Sequence, residues 1–362
     1  MTFNPQMMTL AREAAGLTQD ALALQAGISQ ALVSKIEHGL ECPNDTAWRR
    51  MSRACGVPPE FFEQGGDVLG DSIIDFFHKK RLTLPAKPLK KANAMANIAR
   101  LEALRLLRTL EFSDVRPFPA FSIDDYAPEV AAQAIRATWR ILAGPLPNLV
   151  ALVEAAAVPV FVMDLGHQKL SAISMPGLDG RHVIVLNSQL PASAQRYALA
   201  HEVGHLVQHS GSVSADMERD ADAFAAELLM PADDIGPELR ELRFRDLGTL
   251  KTRWQVSLAA LIRQAHNLGA ISDRQYRTFN IELNKLSGGR KHEPGEFDPE
   301  QPRLIRHIID HYQREVGYST EEIQKVMVVT RERLDECYLG VSQRRLRPVE
   351  MPGRLHSLAM LK

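Results

Sequence analysis

The first 63 residues show apolar positions at helical spacing and almost no alternation with a period of two. Glycines and a proline divide this region into short segments of one to three helical turns. The predicted helices run from Met7 to Ala15, Gln19 to Gln25, Ser29 to His38, Asp45 to Cys55 and Pro58 to Glu63. The pattern therefore predicts a compact, all-helical N-terminal module.

The pattern changes after this module. A basic stretch, His78 to Lys91, has six Lys or Arg residues and no acid, and we interpret it as a solvated linker. Helical spacing returns from Ala92 to Leu110. From residue 113, apolar runs indicate strands at Pro159 to Met163 and Val183 to Leu186, among helices at about 128 to 142 and 147 to 156. This mixture predicts an α+β region.

Further helices are predicted near residues 193 to 209, 216 to 229, 247 to 255, 257 to 267 and 272 to 285. A break rich in Gly, Pro and Glu, Gly288 to Pro302, precedes a final helical segment that ends near residue 339. Within it, residues 317 to 338 loosely repeat the layout of the N-terminal module, with Ser319 or Thr320 and Thr330 as helix caps. We interpret this segment as a plain helical hairpin.

Composition limits the classes of protein and of binding surface. With 362 residues and 45% apolar residues, the chain can form two or three domains. Its three cysteines, Cys42, Cys55 and Cys337, form no disulfide framework or thiolate metal motif, which indicates a reducing compartment. No segment approaches the roughly 18 uninterrupted apolar residues of a membrane span, so we expect a cytoplasmic protein without membrane contact.

The net charge is −1, so DNA binding would need a local surface rather than bulk charge. A second basic cluster near the end of the chain contains Arg344, Arg345 and Arg347. We interpret this cluster, like the basic stretch, as solvated.

Two histidines four residues apart carry the clearest chemistry. His201 and His205 share one face of their predicted helix, so both rings can point at one metal ion. Two imidazoles and a carboxylate, with a fourth position left open for water, are typical of catalytic zinc. Glu202 is then placed to accept a proton from that water. His209 continues the stripe, but about 12 Å along the helix separates it from His201, so we exclude it as a ligand.

The next helix supplies five acids as alternatives for the third ligand. Met217, Ala221, Phe224 and Leu228 form its apolar stripe. Glu218 and Asp222 lie beside this stripe, whereas Asp216, Asp220 and Glu227 fall on the side predicted to face solvent. We therefore predict Glu218 as the third ligand and Asp222 as a residue that holds a ligand histidine. One zinc ion per chain is expected.

Residues 17 to 39 predict a helix-turn-helix. Ala23 is small enough for two helices to cross closely, and Gly27 suits the turn. Ser29 suits the cap of the second helix. The predicted DNA contacts are Gln19 to a phosphate and Ser29, Gln30, Ala31, Ser34 and Lys35 at the major groove. Residues 1 to 63 hold five Lys or Arg against seven Asp or Glu, so binding by one monomer is modest and a homodimer or the linker assists it.

These motifs resemble two known families. Residues 196 to 206 (RYALAHEVGHL) and 218 to 231 (ERDADAFAAELLMP) resemble the ImmA/IrrE metallopeptidases, which belong with the gluzincins, over roughly residues 70 to 290. Residues 7 to 63 are similar to the XRE-type helix-turn-helix of phage repressors. Many ImmA/IrrE members have Glu at the position of Asp220.

The resemblance implies a zinc-dependent endopeptidase that acts on a regulatory protein. It also suggests that Val183, Ile184, Val185, Leu186 and Asn187 form an edge strand that receives extended substrate; an ordinary sheet strand is the alternative.

The predicted fold is multi-domain: an all-α helix-turn-helix, a mainly helical α+β gluzincin-like metallopeptidase domain with a small sheet, and a helical C-terminal region. The predicted boundaries are 1–66 for the helix-turn-helix, 67–112 for the linker and connecting helix, 113–290 for the metallopeptidase domain and 291–362 for the C-terminal region.

The preferred hypothesis is a DNA-bound regulator that cleaves a repressor-like partner or itself. The main alternative is a transcription factor or antitoxin that uses the metal fold as sensor or scaffold without proteolysis. A small-molecule zinc hydrolase is a third interpretation, which gives the helix-turn-helix no role.

Overall fold

The chain divides by its internal contacts into two compact units in the computed structural model. This structure describes residues 3–65, 85–108, 110–112, 115–123, 125–175, 182–208, 216–287, 293–339 and 355–357. Among the described residues, the N-terminal unit joins those up to Val115 with those from Arg303 onwards, and the central unit comprises those from Arg116 to Pro302. The C-terminal helices therefore belong to the same unit as the N-terminal module, a grouping that the sequence pattern does not show.

Four helices form the N-terminal module, followed by a 3-10 turn at Pro59–Glu63. The helices are α1 (Pro5–Ala14), α2 (Gln19–Ala26), α3 (Gln30–Glu37) and α4 (Asp45–Cys55). Each helix begins at an Asn, Thr or Ser whose side chain accepts a hydrogen bond from a backbone N–H of the first turn. Gly27 ends α2 at φ 65°, a left-handed conformation that glycine adopts at little cost. The helix-turn-helix predicted for residues 17 to 39 is confirmed.

A long helix, α5 (Ala86–Leu107), completes the core of this module. Its Ala94, Ile98 and Leu101 pack with Met8 and Ile36 in one buried cluster. The predicted start at Ala92 was too late, because Pro88 falls in the first turn, where helix N–H groups have no partner within the helix. A short strand, β1 (Leu110–Phe112), follows α5.

The central unit begins with two helices and a three-stranded sheet. These elements are α6 (Pro128–Thr138), α7 (Leu149–Glu154), β2 (Val160–Met163), β3 (Ala172–Met175) and β4 (Val183–Asn187). The order is β2-β4-β3, with β4 parallel to β2 and antiparallel to β3. Ile184 lies opposite Val160 and Ser174 in this register.

The prediction that Val183 to Asn187 is an edge strand is wrong. Strand β4 is central, since β2 pairs with one edge and β3 with the other, so its backbone groups cannot pair with a substrate peptide. Strand β3 was not predicted, because its four residues, Ala172 to Met175, are all buried and show no alternation. The interpretation of β4 as an ordinary sheet strand is the correct one.

The remaining helices surround this sheet or return to the N-terminal unit. In the central unit they are α8 (Ala192–Gln208), α9 (Met217–Leu229), α10 (Ala232–Ile235), α11 (Leu247–Trp254), α12 (Leu258–Asn267) and α13 (Asp273–Ser287). The N-terminal unit receives α14 (Leu304–His311), α15 (Thr320–Met327), α16 (Arg331–Leu334) and β5 (Leu355–Ser357), which pairs antiparallel with β1. Single π turns extend α14 to Val316 and α16 to Leu339. The predicted fold class is confirmed.

Residues 293 to 302, which we call the glutamate segment, are neither helix nor strand, yet they bind the starts of three helices. Glu293 accepts hydrogen bonds from the first two N–H groups of α12. Glu296 accepts from the N–H and hydroxyl of Ser193 in the first turn of α8. Glu300 accepts from the N–H of Val150 in α7. Each carboxylate thereby lies at the positive end of a helix dipole.

Two buried cations strengthen this attachment. The ammonium group of Lys251, 1% exposed, lies 3.1 Å from Glu293 and 3.0 Å from Glu296. The guanidinium group of Arg196, also 1% exposed, donates to Glu300. The segment predicted only as a break is therefore an integral part of the central unit, held by ion pairs that solvent screens weakly.

Among the described residues, no helix combines the length and the apolar character that crossing a membrane requires. Three sets of residues that the sequence analysis interprets lie outside the described residues. They are residues 78 to 84 of the basic stretch, His209, and the cluster of Arg344, Arg345 and Arg347.

Candidate metal centre

Helix α8 presents two histidines toward α9. His201 and His205 are four residues apart, so both rings lie on one face, and the two Nε2 atoms are 3.0 Å apart. The His205 side chain is 0% exposed, while His201 borders the surface. Apolar residues such as Leu199 and Val203 bury the opposite side of α8 in the core of the central unit. The core therefore fixes the orientation of both imidazoles.

Glu218, in the first turn of α9, completes a set of three possible metal ligands. Its Oε1 lies 3.4 Å from Nε2 of His205, and its Oε2 lies 3.8 Å from Nε2 of His201. Ligand atoms in a tetrahedral zinc site, with bonds of about 2.0–2.1 Å, are roughly 3.3 Å apart. The donor types and their spacing therefore fit a zinc ion with one position left for water.

Asp222, one turn after Glu218, orients the first histidine. Its Oδ1 lies 2.9 Å from Nδ1 of His201, which leaves Nε2 to face Glu218 and His205. Burial lowers the pKa of His201, but its hydrogen bond to the Asp222 carboxylate and the charges of Glu202, Asp222 and Glu218 outweigh this effect and raise the pKa above its usual value. The same carboxylates favour a metal cation.

Glu202 lies beside the three ligands, and a residue of the sheet binds its carboxylate. The hydroxyl of Ser174 donates to its Oε2 at 2.5 Å, and both residues are buried. Ser174 belongs to β3, a strand that the sequence pattern does not predict, so no local signal indicates this contact. The pairing leaves the other carboxylate oxygen of Glu202 available for a proton.

Gly204 sets the distance between the two helices of the site. A Cβ atom at this position would lie 3.0 to 3.2 Å from three side-chain atoms of Phe224 on α9. Since Cβ contacts this short are rare, a larger residue would push the helices apart. The glycine between the two histidines therefore lets α9 bring Glu218 within reach.

Two acids of α9 are not on the solvent side as predicted. Glu227 is only 3% exposed, and its carboxylate accepts hydrogen bonds from Gln133 and from the N–H of Ala232. Asp220 has a side chain that is 14% exposed, and burial raises its pKa. The helical stripe failed here because α6 also covers this face of α9, which local periodicity cannot show. Asp216 is exposed, as predicted.

The predicted DNA-contacting residues lie around α3. Ser29, Gln30, Ala31 and Lys35 are exposed, and Ser34 is half-buried. Ser29 also caps α3 by accepting from the N–H of Leu32, as expected. Their assignment as DNA contacts stays a prediction.

Gln19 joins a polar network inside the module. Its side-chain N–H donates to Glu37 at 2.6 Å, and its oxygen accepts from Gln30 at 2.8 Å. Arg12 contacts the same Glu37 carboxylate. Gln19 could therefore contact a phosphate only if its side-chain amide served both the phosphate and this network.

Comparisons with protein families agree with this arrangement. The family model of the IrrE N-terminal-like domain, a peptidase family, matches residues 153–266, which include the site. A helix-turn-helix family model matches residues 10–62. Searching the curated proteins finds no match. The chain therefore carries a DNA-binding helix-turn-helix and an IrrE-like peptidase domain, as the two resemblances implied.

Proposed function

We propose that this chain, which joins a helix-turn-helix to an IrrE N-terminal-like peptidase domain, is a DNA-binding regulator with zinc-dependent endopeptidase activity. Its substrate in this proposal is a regulatory protein, either a repressor-like partner or the chain itself. The observation that carries it is the convergence of His201, His205 and Glu218 beside the buried carboxylate of Glu202.

In this proposal the three ligands hold one zinc ion. When bound, zinc acts as a Lewis acid and lowers the pKa of water at the open position toward neutrality. Glu202 accepts the proton of the attacking water and delivers it to the leaving amine. Ser174 keeps Glu202 in one orientation, and Asp222 keeps the Nε2 atom of His201 directed at the ion.

The helix-turn-helix directs this activity to operators in the proposal. Exposed residues at the start of α3 enter the major groove, as expected of a recognition helix. The poor charge balance of residues 1 to 63 favours binding as a homodimer on two half-sites. Binding near a repressor would bring the peptidase domain close to its substrate.

Zinc content is the first test. We expect about one zinc per chain in the wild type by elemental analysis, and its loss in His205→Ala and Glu218→Ala. Asp216→Ala is the matched control, because Asp216 is an exposed acid just before the same helix. Wild-type protein that is folded and free of zinc after loading would refute the metal site. Retention of zinc by both ligand variants would refute the ligand assignment.

Cleavage is tested separately with the full chain on a proteome-derived peptide library. We expect products from the wild type and none from Glu202→Gln, which keeps zinc and DNA binding. Equal cleavage by both proteins would exclude Glu202 as the general base. Zinc binding without cleavage of the library or of the chain itself would favour the alternative, a transcription factor or antitoxin with the metal fold as sensor or scaffold.

A further inference from the structure

The C-terminal helices repeat the helix-turn-helix of the N-terminus with an offset of 301 residues. Helix α15 has eight residues, as does α2, and each begins after a capping hydroxyl, Ser319 or Thr18. The residue that ends each helix is left-handed, Gly27 at φ 65° and Val328 at φ 58°. Two residues later, Ser29 caps α3 and Thr330 caps α16. The turn thus has the same length and conformation.

The hydrogen bonds of the two turns correspond one to one. The N–H of Ile28 donates to the carbonyl of Ala23 at 3.0 Å, and the N–H of Val329 donates to that of Gln324 at 3.1 Å. The hydroxyl of Ser29 accepts from a backbone N–H three residues later at 3.2 Å, as Thr330 does at 3.3 Å. The predicted plain hairpin is therefore incorrect.

The correspondence extends to the preceding helix and to the core. Gly16 and Gly317, related by the same offset, have φ of 71° and 80°. Buried apolar residues occupy equivalent positions in both repeats. The pairs are Met7 and Ile308, Met8 and Ile309, Leu22 and Ile323, Ala26 and Met327, and Val33 and Leu334. Residues 304 to 339 thus have the three-helix core of a helix-turn-helix domain.

The second recognition position has the wrong charge for DNA. The predicted contacts Gln30, Ala31, Ser34 and Lys35 correspond to Arg331, Glu332, Asp335 and Glu336. Three carboxylates therefore replace Ala31, Ser34 and Lys35, and they would face phosphates. The remaining cation, Arg331, pairs with Asp335 at 2.8 Å.

The same helix, α16, also makes buried contacts with α5 of the N-terminal unit. Its Arg333 donates two hydrogen bonds to the buried Glu102 of α5, at 2.6 and 2.9 Å, and Tyr338 donates to the same carboxylate. Glu332 and Glu336 line a cavity of about 410 Å³ whose other wall includes Arg53 at the end of α4. The side of α16 that would enter a major groove therefore shares this cavity with residues at the end of α4.

We propose that residues 304 to 339 are a second helix-turn-helix that does not bind DNA and instead serves as an intramolecular partner of the first. It holds α5 from one side, while Ala94, Ile98 and Leu101 of α5 complete the core of the first repeat. Tyr312 adds a hydrogen bond to the carbonyl of Leu106 in the last turn of α5. Each chain then reads DNA with its N-terminal repeat alone. This proposal does not depend on the peptidase activity.

The DNA part is tested by photo-crosslinking at two equivalent positions of the full chain. A benzophenone amino acid replaces Ala31 in one variant and Glu332 in the other, both exposed. The probe is a pool of random-sequence 30-base-pair duplexes at low salt. We expect DNA adducts from position 31 and none from position 332. Adducts from position 332, or from neither position, would overturn the assignment.

The partner role is tested by hydrogen exchange of α5 in the full chain. We expect Arg333→Ala to accelerate exchange in α5 by roughly 100-fold, because it leaves the buried Glu102 carboxylate without its cation. Arg331→Ala is the control. It also removes one positive charge, two residues before Arg333, but Arg331 pairs with Asp335 at the surface. Equal exchange in the two variants would show that the second repeat does not hold α5.

Discussion

Replacing Lys251 by Met tests whether the glutamate segment is held by its buried cations. The change removes the ammonium group and keeps most of the aliphatic stem, so packing around α11 changes little. Lys251 is 1% and Glu293 4% exposed, and leaving a buried carboxylate without its cation costs about 3–5 kcal/mol. Glu293 keeps two N–H donors from α12, so we expect the lower end, about 3 kcal/mol.

Tryptophan fluorescence can follow the central unit alone. Of the three tryptophans, Trp139 and Trp254 are buried in the core of the central unit, and Trp48 lies in the N-terminal unit. In a Trp48→Phe background, urea unfolding therefore reports the central unit. A loss of about 3 kcal/mol should lower the urea midpoint by about 1 M, for a slope of about 2–3 kcal/mol/M.

Two comparisons make the result decisive. Lys285→Met, at an exposed position near the end of α13, should change stability by less than about 0.5 kcal/mol. Adding Glu293→Gln and Glu296→Gln to Lys251→Met should recover part of the loss, because no uncompensated charge then remains. If the free energies of unfolding of Lys251→Met and Lys285→Met differ by less than about 1 kcal/mol, the buried ion pairs do not stabilise the central unit as argued.

Three further predictions concern the site and the thiols. Gly204→Ala should destabilise the central unit by about 1–2 kcal/mol in urea, because its Cβ meets Phe224, and an unchanged midpoint would show that the helices adjust freely. Asp222→Ala should weaken zinc binding by about 10–100-fold in chelator competition, since His201 loses its orienting partner; equal affinity would contradict that role. Burial raises the pKa of Cys55 to about 12. Iodoacetamide at neutral pH should therefore label the exposed Cys42 and Cys337 and leave Cys55 unlabelled until the protein unfolds. Equal labelling of all three thiols in the folded protein would argue against the burial of Cys55.

The part of the candidate site that helical periodicity can place was predicted from the sequence. His201 and His205 are one turn apart on α8, and Glu218 and Asp222 are one turn apart on α9, so each pair shares a face regardless of the rest of the fold. The structure brings these pairs together as expected. Their assignment as metal ligands remains a prediction that the zinc measurement tests.

What the sequence did not predict depends on segments distant in the chain. Ser174 reaches Glu202 only because β3 pairs with β4, and the short run Ala172 to Met175 has no alternation to identify it as a strand. Glu227 was placed in solvent because one helix alone does not show that α6 packs on its second face. The sequence shows residues 317 to 338 only as a loose repeat of the N-terminal layout, because valine, at Val328, replaces the glycine of the turn and acids occupy the recognition positions; a plain hairpin was therefore the preferred interpretation.

The glutamate segment also bears on where the peptidase domain ends. The family match stops at residue 266 and the sequence pattern suggests a boundary at 290, both before Glu293. A protein truncated at either point would lose the carboxylates that bind the starts of α7, α8 and α12, and it would keep Lys251 and Arg196 buried without their acids. We therefore expect a fragment of the central unit to fold only if it extends to Pro302, and we expect shorter fragments to lose peptidase activity through misfolding.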